Sequence, residues 1–392
     1  APWLLDQIAP FAPRGIGTID AHVRACLVVA AYQMFFTRIP AFAAVSEAVD
    51  AVRAARGPRL AKFANAVLRK VAERANRAGD AEREEAIVSS SPPWLRDALS
   101  RSLSPEGAAA FLRSGAVPPA LAIRVERGSE RESWLARLRD AAPEASFELG
   151  RWSPLAILAR GAGKPERLPG WSEGAWSVQE EGSQLAALAV GARPGESVLD
   201  ACAGRGNKGA LLARIVLGGG ASGAVDACDL SLAKLGRLGE EWGRLGLRAR
   251  ASFAVDWTAG SGDVTGVYDR VLVDAPCSGV GTLRRRPEIA QRRSSGGIEE
   301  ITALARVQIA IATRAAEHLR SGGVLVYVVC SVLHEEGQDV VDAVLQARPE
   351  LSLTEFDPSG PPVLRELIGG RGLLLPHVHG TDGYFVARMV KR

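Results

Sequence analysis

The sequence predicts a doubly wound α/β domain with a mostly parallel sheet, preceded by an all-helical region and a small α+β module. Three observations carry this. From residue 176 onward, the short apolar runs SVLDACA, GAVDACD, RVLVDAP and VLVYVVC end in small or polar residues and alternate with helical stretches, as βαβ units do. Residues 1–77 place apolar side chains at helical spacing, with Val45, Val49 and Val52 on one stripe and Phe63, Val67 and Val71 on another. Between these regions, residues 93–170 mix short helix and strand signals.

At the start, VRACLVVAAYQMFF, AAVSEAVDAV and LAKFANAVLRKVAERA read as helices, punctuated by Pro40 and the Gly57–Pro58 pair. Residues 51–77 hold eight basic residues and one acid, Glu73. This is either a solvated helix face or a phosphate-contacting patch, which would include Arg69 and Lys70. Residues 78–92 (GDAEREEAIVSSSPP) are polar, Ser-rich and end in two prolines, so a linker is expected. In the module at 93–170, SPEGAAAFLRS reads as a helix capped by Ser104 with Pro105 next. ALAIRVE reads as a strand and SERESWLARLRDA as an amphipathic helix. The last region, from 171 to 392, alternates its strands with the helices QLAALAV, GALLARIVL, LSLAKLGRLGEEWGRLG and ITALARVQIAIATRAAEHL.

Composition bounds the function. The 392 residues are 47% hydrophobic and 23% charged, which excludes wholesale disorder. A net charge of +4 is mild and does not by itself imply nucleic acid, but 42 of the 48 basic residues are Arg, whose planar forks suit phosphate. Five cysteines without a CxxC argue against a disulfide scaffold or a zinc ribbon. The longest apolar stretch, Ala25–Phe36, is too short to span a bilayer, and the first residues lack a basic signal-peptide start. A soluble, cytoplasmic monomer with no metal and no membrane partner is expected.

In a doubly wound sheet, ligands sit at the carboxyl ends of the strands, and the reactive residues fall there. Residues 197–213 give a strand, a small-residue loop (Cys202, Ala203, Gly204, Arg205, Gly206, Asn207, Lys208) and a helix. Such a loop either presents backbone N–H groups to a ligand or is a structural turn. Asp229, 29 residues after Asp200, ends the next strand, where an acid accepts from a ribose; Asp226, mid-strand, is its rival. Asp256 ends a third apolar run and faces a base or caps a turn. Asp274 and Cys277 end the fourth strand. Arg284, Arg285, Arg286, Arg292 and Arg293 follow, a positive field that favours thiolate. Cys330 ends the fifth strand before a helix start, a candidate low-pKa nucleophile. Parallel pairing would bring Cys277 and Cys330 together.

DACAGRGNKG, DAPCSGVGTLRRRPEI, VVCSVLHEEG and DGYFVARMVKR, in that order, resemble the S-adenosylmethionine-dependent RNA cytosine-C5 methyltransferases of the Sun/Fmu type. RIPAFAAVSEAV and KFANAVLR resemble a NusB-like RNA-binding domain, shortened at its start. The combination is that of RsmB-type enzymes, which modify small-subunit rRNA. The resemblance implies a NusB-like domain at 1–77, a small α+β RNA-binding module at 93–170, and a Rossmann-like class I methyltransferase domain at 171–392. It implies Cys330 as the nucleophile that adds to cytosine C6, Cys277 as the residue assisting product release, and Asp274 at the cofactor and the base. It also implies residues 202–208 around the methionine part of S-adenosyl-L-methionine, Asp229 at the ribose, Asp256 near the adenine, and Arg284–Arg286 with Arg69 and Lys70 on RNA. Departures from the family pattern are Gly204, Arg205 and Asn207 in the loop, Val329 before the nucleophile, and Glu126 where Asn is usual. Two other readings stay open: a non-catalytic RNA-binding assembly factor on the same fold, and a tRNA methyltransferase. DNA cytosine methylation would use the cysteine after proline and would need no second one.

Overall fold

The computed structural model describes residues 2–292 and 297–392, with the side chain of Arg292 and all of Arg293 outside the described residues. The chain divides into two compact units, residues 1–96 and 97–392.

The first unit is helical. Helices α1 (Pro2–Ile8), α2 (Ala21–Phe36), α3 (Ala41–Arg56) and α4 (Pro58–Arg77) bury one apolar stripe each. Val23, Leu27, Val52, Leu68 and Val71 are fully enclosed in this core. Asp20 caps α2 by accepting from the amides of His22 and Val23. The expected linker at 78–92 is corrected: Asp80–Ser89 forms helix α5. Asp80 and Glu82 in its first turn complement the helix dipole, Glu82 pairs with Arg74, and Ala86 is buried. A Ser- and Pro-rich composition had masked the helix signal of AEREEAIV.

Helix α6 (Pro93–Ser114) breaks at Ser104, whose φ is +67°. Its hydroxyl accepts from the Gly107 amide at 3.2 Å, the cap expected there, with Pro105 in the first turn. An antiparallel four-stranded sheet follows, in the order β2-β3-β1-β4, from β1 (Leu121–Val125), β2 (Ser146–Leu149), β3 (Ala156–Arg160) and β4 (Trp176–Val178). Helix α7 (Arg131–Ala141) packs on it through Trp134, Leu135 and Leu138. This module lies within the same compact unit as the larger sheet.

The larger sheet runs β10-β12-β9-β8-β5-β6-β7. Its strands are β5 (Ser197–Asp200), β6 (Ala224–Asp229), β7 (Ala251–Ala254), β8 (Tyr268–Asp274), β9 (Leu319–Val329), β10 (Leu351–Leu353), β11 (Arg371–Leu374) and β12 (Tyr384–Lys391). The run β9-β8-β5-β6-β7 is parallel. β12 is antiparallel to β9, β10 and β11. The principal helices are α8 (Glu181–Leu188), α9 (Asn207–Val216), α10 (Leu232–Arg244), α11 (Glu288–Arg292), α12 (Gly297–Ala315) and α13 (Gln338–Ala347). Alternate strand residues feed two cores, one with Val198, Leu272 and Val326, the other with Leu199, Val271 and Val273. Strand order reverses between β5 and β8, and a crevice opens at the carboxyl ends there. No described helix is long and apolar enough to cross a membrane.

Candidate active site

The loop after β5 is shaped by glycines where the backbone demands them. Gly206 has φ +83°, and a Cβ there would stand 2.5 Å from Trp242 Nε1 and 2.6 Å from Leu238 Cγ. The Trp242 indole donates to the Gly206 carbonyl at 2.9 Å, which locks the turn onto α10. Gly204 N–H donates to Asp229 Oδ2 at 3.0 Å, tying the loop to the tip of β6.

Beside this loop is a cavity of about 550 Å³. Cys202, Gly204, Asp229, Asp256 and Asp274 line it, together with Leu230, Trp257, Pro276 and Ile311. Asp226 is turned away into an ion pair with Arg250 at 2.6 Å and a bond from the Tyr268 hydroxyl at 2.7 Å. Asp256 both lines the cavity and caps a turn, accepting from the Thr258 amide and hydroxyl, which hold its carboxyl below the usual range.

Of the seven loop residues only Cys202 and Gly204 line the cavity, and the side chains of Ala203, Arg205 and Asn207 turn elsewhere. Ala203 packs on the apolar core. Arg205 is exposed and borders a separate hollow with Trp171 and Arg237. Asn207 turns to β4, where its Nδ2 donates to the Val178 carbonyl at 3.4 Å. Gly206 is confined under Trp242 and acts through its conformation. The physical reason is the sharp left-handed turn at 204–206, which sends the chain away from the crevice into α9.

Asp200, which the sequence reading used only as a spacing mark, ends β5 and is 1% exposed. Neither carboxylate oxygen has a hydrogen-bond partner. Burial, with the negative charge of Asp274 added, raises it to about 7 against the lowering influence of Lys208 and of the Cys202 amide. A buried carboxylate without a hydrogen-bond partner, close enough to Lys208 to feel its charge, is chemically suited to a cationic group.

Lys208 Nζ lies 2.5 Å from Asp274 Oδ2. Burial alone would lower the lysine, but Asp274 more than compensates and raises it. The β8–β9 register sets Asp274 beside Val328, two residues before Cys330. The Sγ atoms of Cys277 and Cys330 stand 3.3 Å apart, and both are free thiols. The two do not share the proton evenly. A hydrogen bond from Cys277, with Lys208 assisting, holds Cys330 below its ordinary value of 9.0. The same bond, with burial, pushes Cys277 well up. Of the two sulfurs Cys330 is therefore the one whose ionisation the site favours, with Cys277 as its hydrogen-bond partner.

The loop carrying Cys277 rests on a buried network absent from the sequence expectations. Glu336, fully buried, accepts from the Ser278 amide at 2.7 Å and from Gln308 Nε2 at 3.1 Å. Gln308 Nε2 also donates to the Pro276 carbonyl at 2.9 Å. Backbone bonds stitch three segments: Gly281 N–H to the Cys330 carbonyl at 3.0 Å and Gly383 N–H to the Gly281 carbonyl at 2.8 Å.

Arg284 is largely enclosed and held by the fold, against its expected place on RNA, while Arg285 is tied by hydrogen bonds but stays exposed. Arg284 Nε donates to Asp382, its Nη1 to the Gly380 carbonyl at 2.8 Å, and its Nη2 lies 3.5 Å from Glu180. Arg285 donates to Asp382 at 2.8 Å and to the Ala120 carbonyl at 3.1 Å. Burial and the Asp382 charge raise Glu180 to about 7 despite these arginines. Carboxylates about a hundred residues away claim the guanidinium groups. Arg286 remains exposed, paired with Glu288 at 3.2 Å.

In the helical unit, Arg69 lines an open groove of about 780 Å³ between α3 and α4, with Phe42, Arg53 and Lys62. Lys70, one residue on, stands over the Phe11 ring at 5.9 Å, so the pair does not share a face. Among the described residues, no group of three or more His, Cys, Asp or Glu is placed to hold a metal.

The model of the family described as 16S rRNA methyltransferase RsmB/F matches residues 187–390, and that of the NusB family matches residues 4–73. The chain is 35% identical to the ribosomal RNA small subunit methyltransferase B of Pseudomonas syringae pv. tomato, covering 100% of this chain and 86% of the relative. It is 32% identical to the probable ribosomal RNA small subunit methyltransferase B of Bacillus subtilis, covering 92% and 81%. Among solved structures, PH0851 is similar in fold with a TM-score of 0.74 at 24% identity, covering 100% and 87%. NSun6 from Pyrococcus horikoshii with SFG gives 0.63 at 20% identity, covering 76% and 98%. With the crevice at the strand reversal, the paired thiols beside it and a match that spans the whole second half, the chain belongs to the 16S rRNA methyltransferase RsmB/F family.

Proposed function

We propose that this protein transfers a methyl group from S-adenosyl-L-methionine to C5 of a cytosine in small-subunit rRNA, through a covalent bond between Cys330 and C6 of the base. The observation that carries this reading is the pair of free thiols at 3.3 Å, in surroundings that lower Cys330 and raise Cys277.

Cytosine C5 is a poor nucleophile. Addition of the Cys330 thiolate to C6 gives an enamine-like adduct, in which C5 becomes nucleophilic. When bound, the cofactor supplies an electrophilic methyl group on a sulfonium sulfur. After C5 is methylated, a base takes the C5 proton, the C6–sulfur bond breaks, and thiolate is restored on Cys330. Cys277, a thiol donor at that sulfur, stabilises the departing thiolate.

The residues present fit the cofactor. The unpartnered Asp200 carboxylate suits the ammonium of its methionine part, Asp229 suits ribose hydroxyls, and Leu230 with Asp256 suits the adenine. Asp274, held by Lys208, stands between cavity and thiols and suits the base amino group. The target base must leave its stack to enter such a crevice. The groove with Arg53, Lys62 and Arg69 is suited to the RNA backbone.

The test is transfer of labelled methyl to deproteinised small-subunit rRNA from cells lacking the enzyme. Label at cytosine C5, lost in Cys330→Ala and replaced by a trapped protein–RNA adduct in Cys277→Ala, is the expected result. Folded protein that labels neither rRNA nor tRNA overturns the reading in favour of a non-catalytic RNA-binding factor. Label on tRNA alone overturns the rRNA assignment.

A further inference from the structure

The outer side of the cofactor loop is gripped by a side chain from the four-stranded sheet. Arg124, in β1, is 1% exposed. Its Nη1 donates to the Asn207 carbonyl at 2.8 Å and to Gln179 Oε1 at 2.7 Å. Its Nη2 donates to Glu126 Oε1 at 2.6 Å. The other Glu126 oxygen accepts from Arg214 Nε at 2.9 Å, and Arg214 is on α9, the helix that the loop opens. The Asn207 side chain returns to the same sheet at Val178.

Asn207 is the first residue of α9 and the neighbour of Lys208. A guanidinium fixed at three acceptors therefore stands one residue from the ammonium that holds Asp274. Such a buried fork costs much desolvation and is retained where its geometry matters. The position is also unusual electrostatically, because a helix N-terminus disfavours a cation. Glu126 supplies the compensating negative charge, and the pair bridges the small sheet to both ends of the loop–helix unit.

We propose that Arg124 is a positioning residue for methyl transfer, fixing the 204–208 loop through the Asn207 carbonyl, with Glu126 holding Arg124 in place. The inference rests on the reading that this loop serves S-adenosyl-L-methionine. It makes the four-stranded sheet a structural part of the cofactor site, in addition to any contact it makes with RNA.

The experiment uses the full chain and compares wild type with Arg124→Met, Arg124→Lys and Glu126→Gln. Cofactor Kd is measured by titration calorimetry, KM for cofactor and kcat from methyl transfer, and fold by thermal unfolding. With Arg124→Met, the expected result is a rise in Kd and KM for the cofactor of about tenfold, the size of one lost hydrogen bond to a charged group. Arg124→Lys should recover part of that loss. Glu126→Gln should raise KM less than Arg124→Met while leaving KM for RNA unchanged. A residue that only packs the module would lower the unfolding temperature and the active fraction, hence kcat, with Kd and KM untouched. That pattern overturns the proposal. Should Arg124→Met fail to fold, Glu126→Gln decides: cofactor KM equal to wild type overturns the proposal. Wild-type protein that binds no cofactor fails the underlying reading instead.

Discussion

Replacing Asp200 by Asn should make the unliganded protein more stable and the loaded protein less so. The carboxyl is buried without a partner and raised from 3.8 to about 7. At 1.36 kcal/mol per pH unit, keeping it ionised in the fold above pH 7 costs about 4 kcal/mol. A raised folded value means that wild-type stability is full below pH 3.8 and is lost as pH rises through 7. The advantage of Asp200→Asn should therefore be about 2 kcal/mol at pH 5, reach most of its full size by neutrality and level off by pH 8. For a unit of about 300 residues, unfolding entropy near 0.6 kcal/mol per kelvin turns 4 kcal/mol into about 7 °C. The assay is thermal unfolding of wild type and variant at pH 5 and pH 8, with and without saturating S-adenosyl-L-methionine. Cofactor should stabilise wild type more than the variant, because Asn offers no charge to an ammonium. Equal melting differences at the two pH values would refute the assignment of the burden to this carboxylate. Equal stabilisation by cofactor would refute its role as the ammonium's partner.

Three further outcomes are expected. In Cys277→Ala, Cys330 loses the donor that lowers it, so the half-point of its alkylation by iodoacetamide, followed by peptide mass spectrometry, should move to higher pH; an unchanged half-point contradicts the donor role. Gly206→Ala should cost about 3 kcal/mol or more in thermal or denaturant unfolding, combining left-handed strain with overpacking against Trp242 and Leu238. Arg284→Met leaves Asp382 and Glu180 short of a buried partner and should destabilise by about 3–5 kcal/mol, whereas a residue that only touched RNA would change filter binding and leave unfolding unmoved.

Much of the site was legible because period-2 apolar runs end in their reactive residues. Asp229, Asp274, Cys277 and Cys330 are each read from a strand tip, and parallel pairing then brings the two thiols together. What failed to show depended on partners remote in sequence. Arg284 and Arg285 look like a basic run until Glu180 and Asp382 fold against them. Asp200 looks like a strand residue among others until the neighbours β6 and β8 enclose it. Gln308 carries no local motif, and nothing within VVCSVLHEEG marks Glu336 as a support; only the packing of α12 against the Cys277 loop brings the two together there. The helix at 80–89 was hidden by composition. Glutamates in a polar stretch read as linker unless the buried Ala86 is known.

The stitching of Gly281 to Cys330 and of Gly383 to Gly281 has a consequence for biosynthesis. β12 is the last long strand, yet it lies between β10 and β9 in the sheet and presents Gly383 to the cysteine loops. During translation both cysteines leave the ribosome before the segment that fixes them. Until residues 381–391 insert, the Gly383 amide cannot hold the Gly281 carbonyl, and the loop that follows Cys277 lacks that tie. The cysteine loops are in this sense finished by a strand that comes later in the chain than both of them and enters the sheet between β10 and β9.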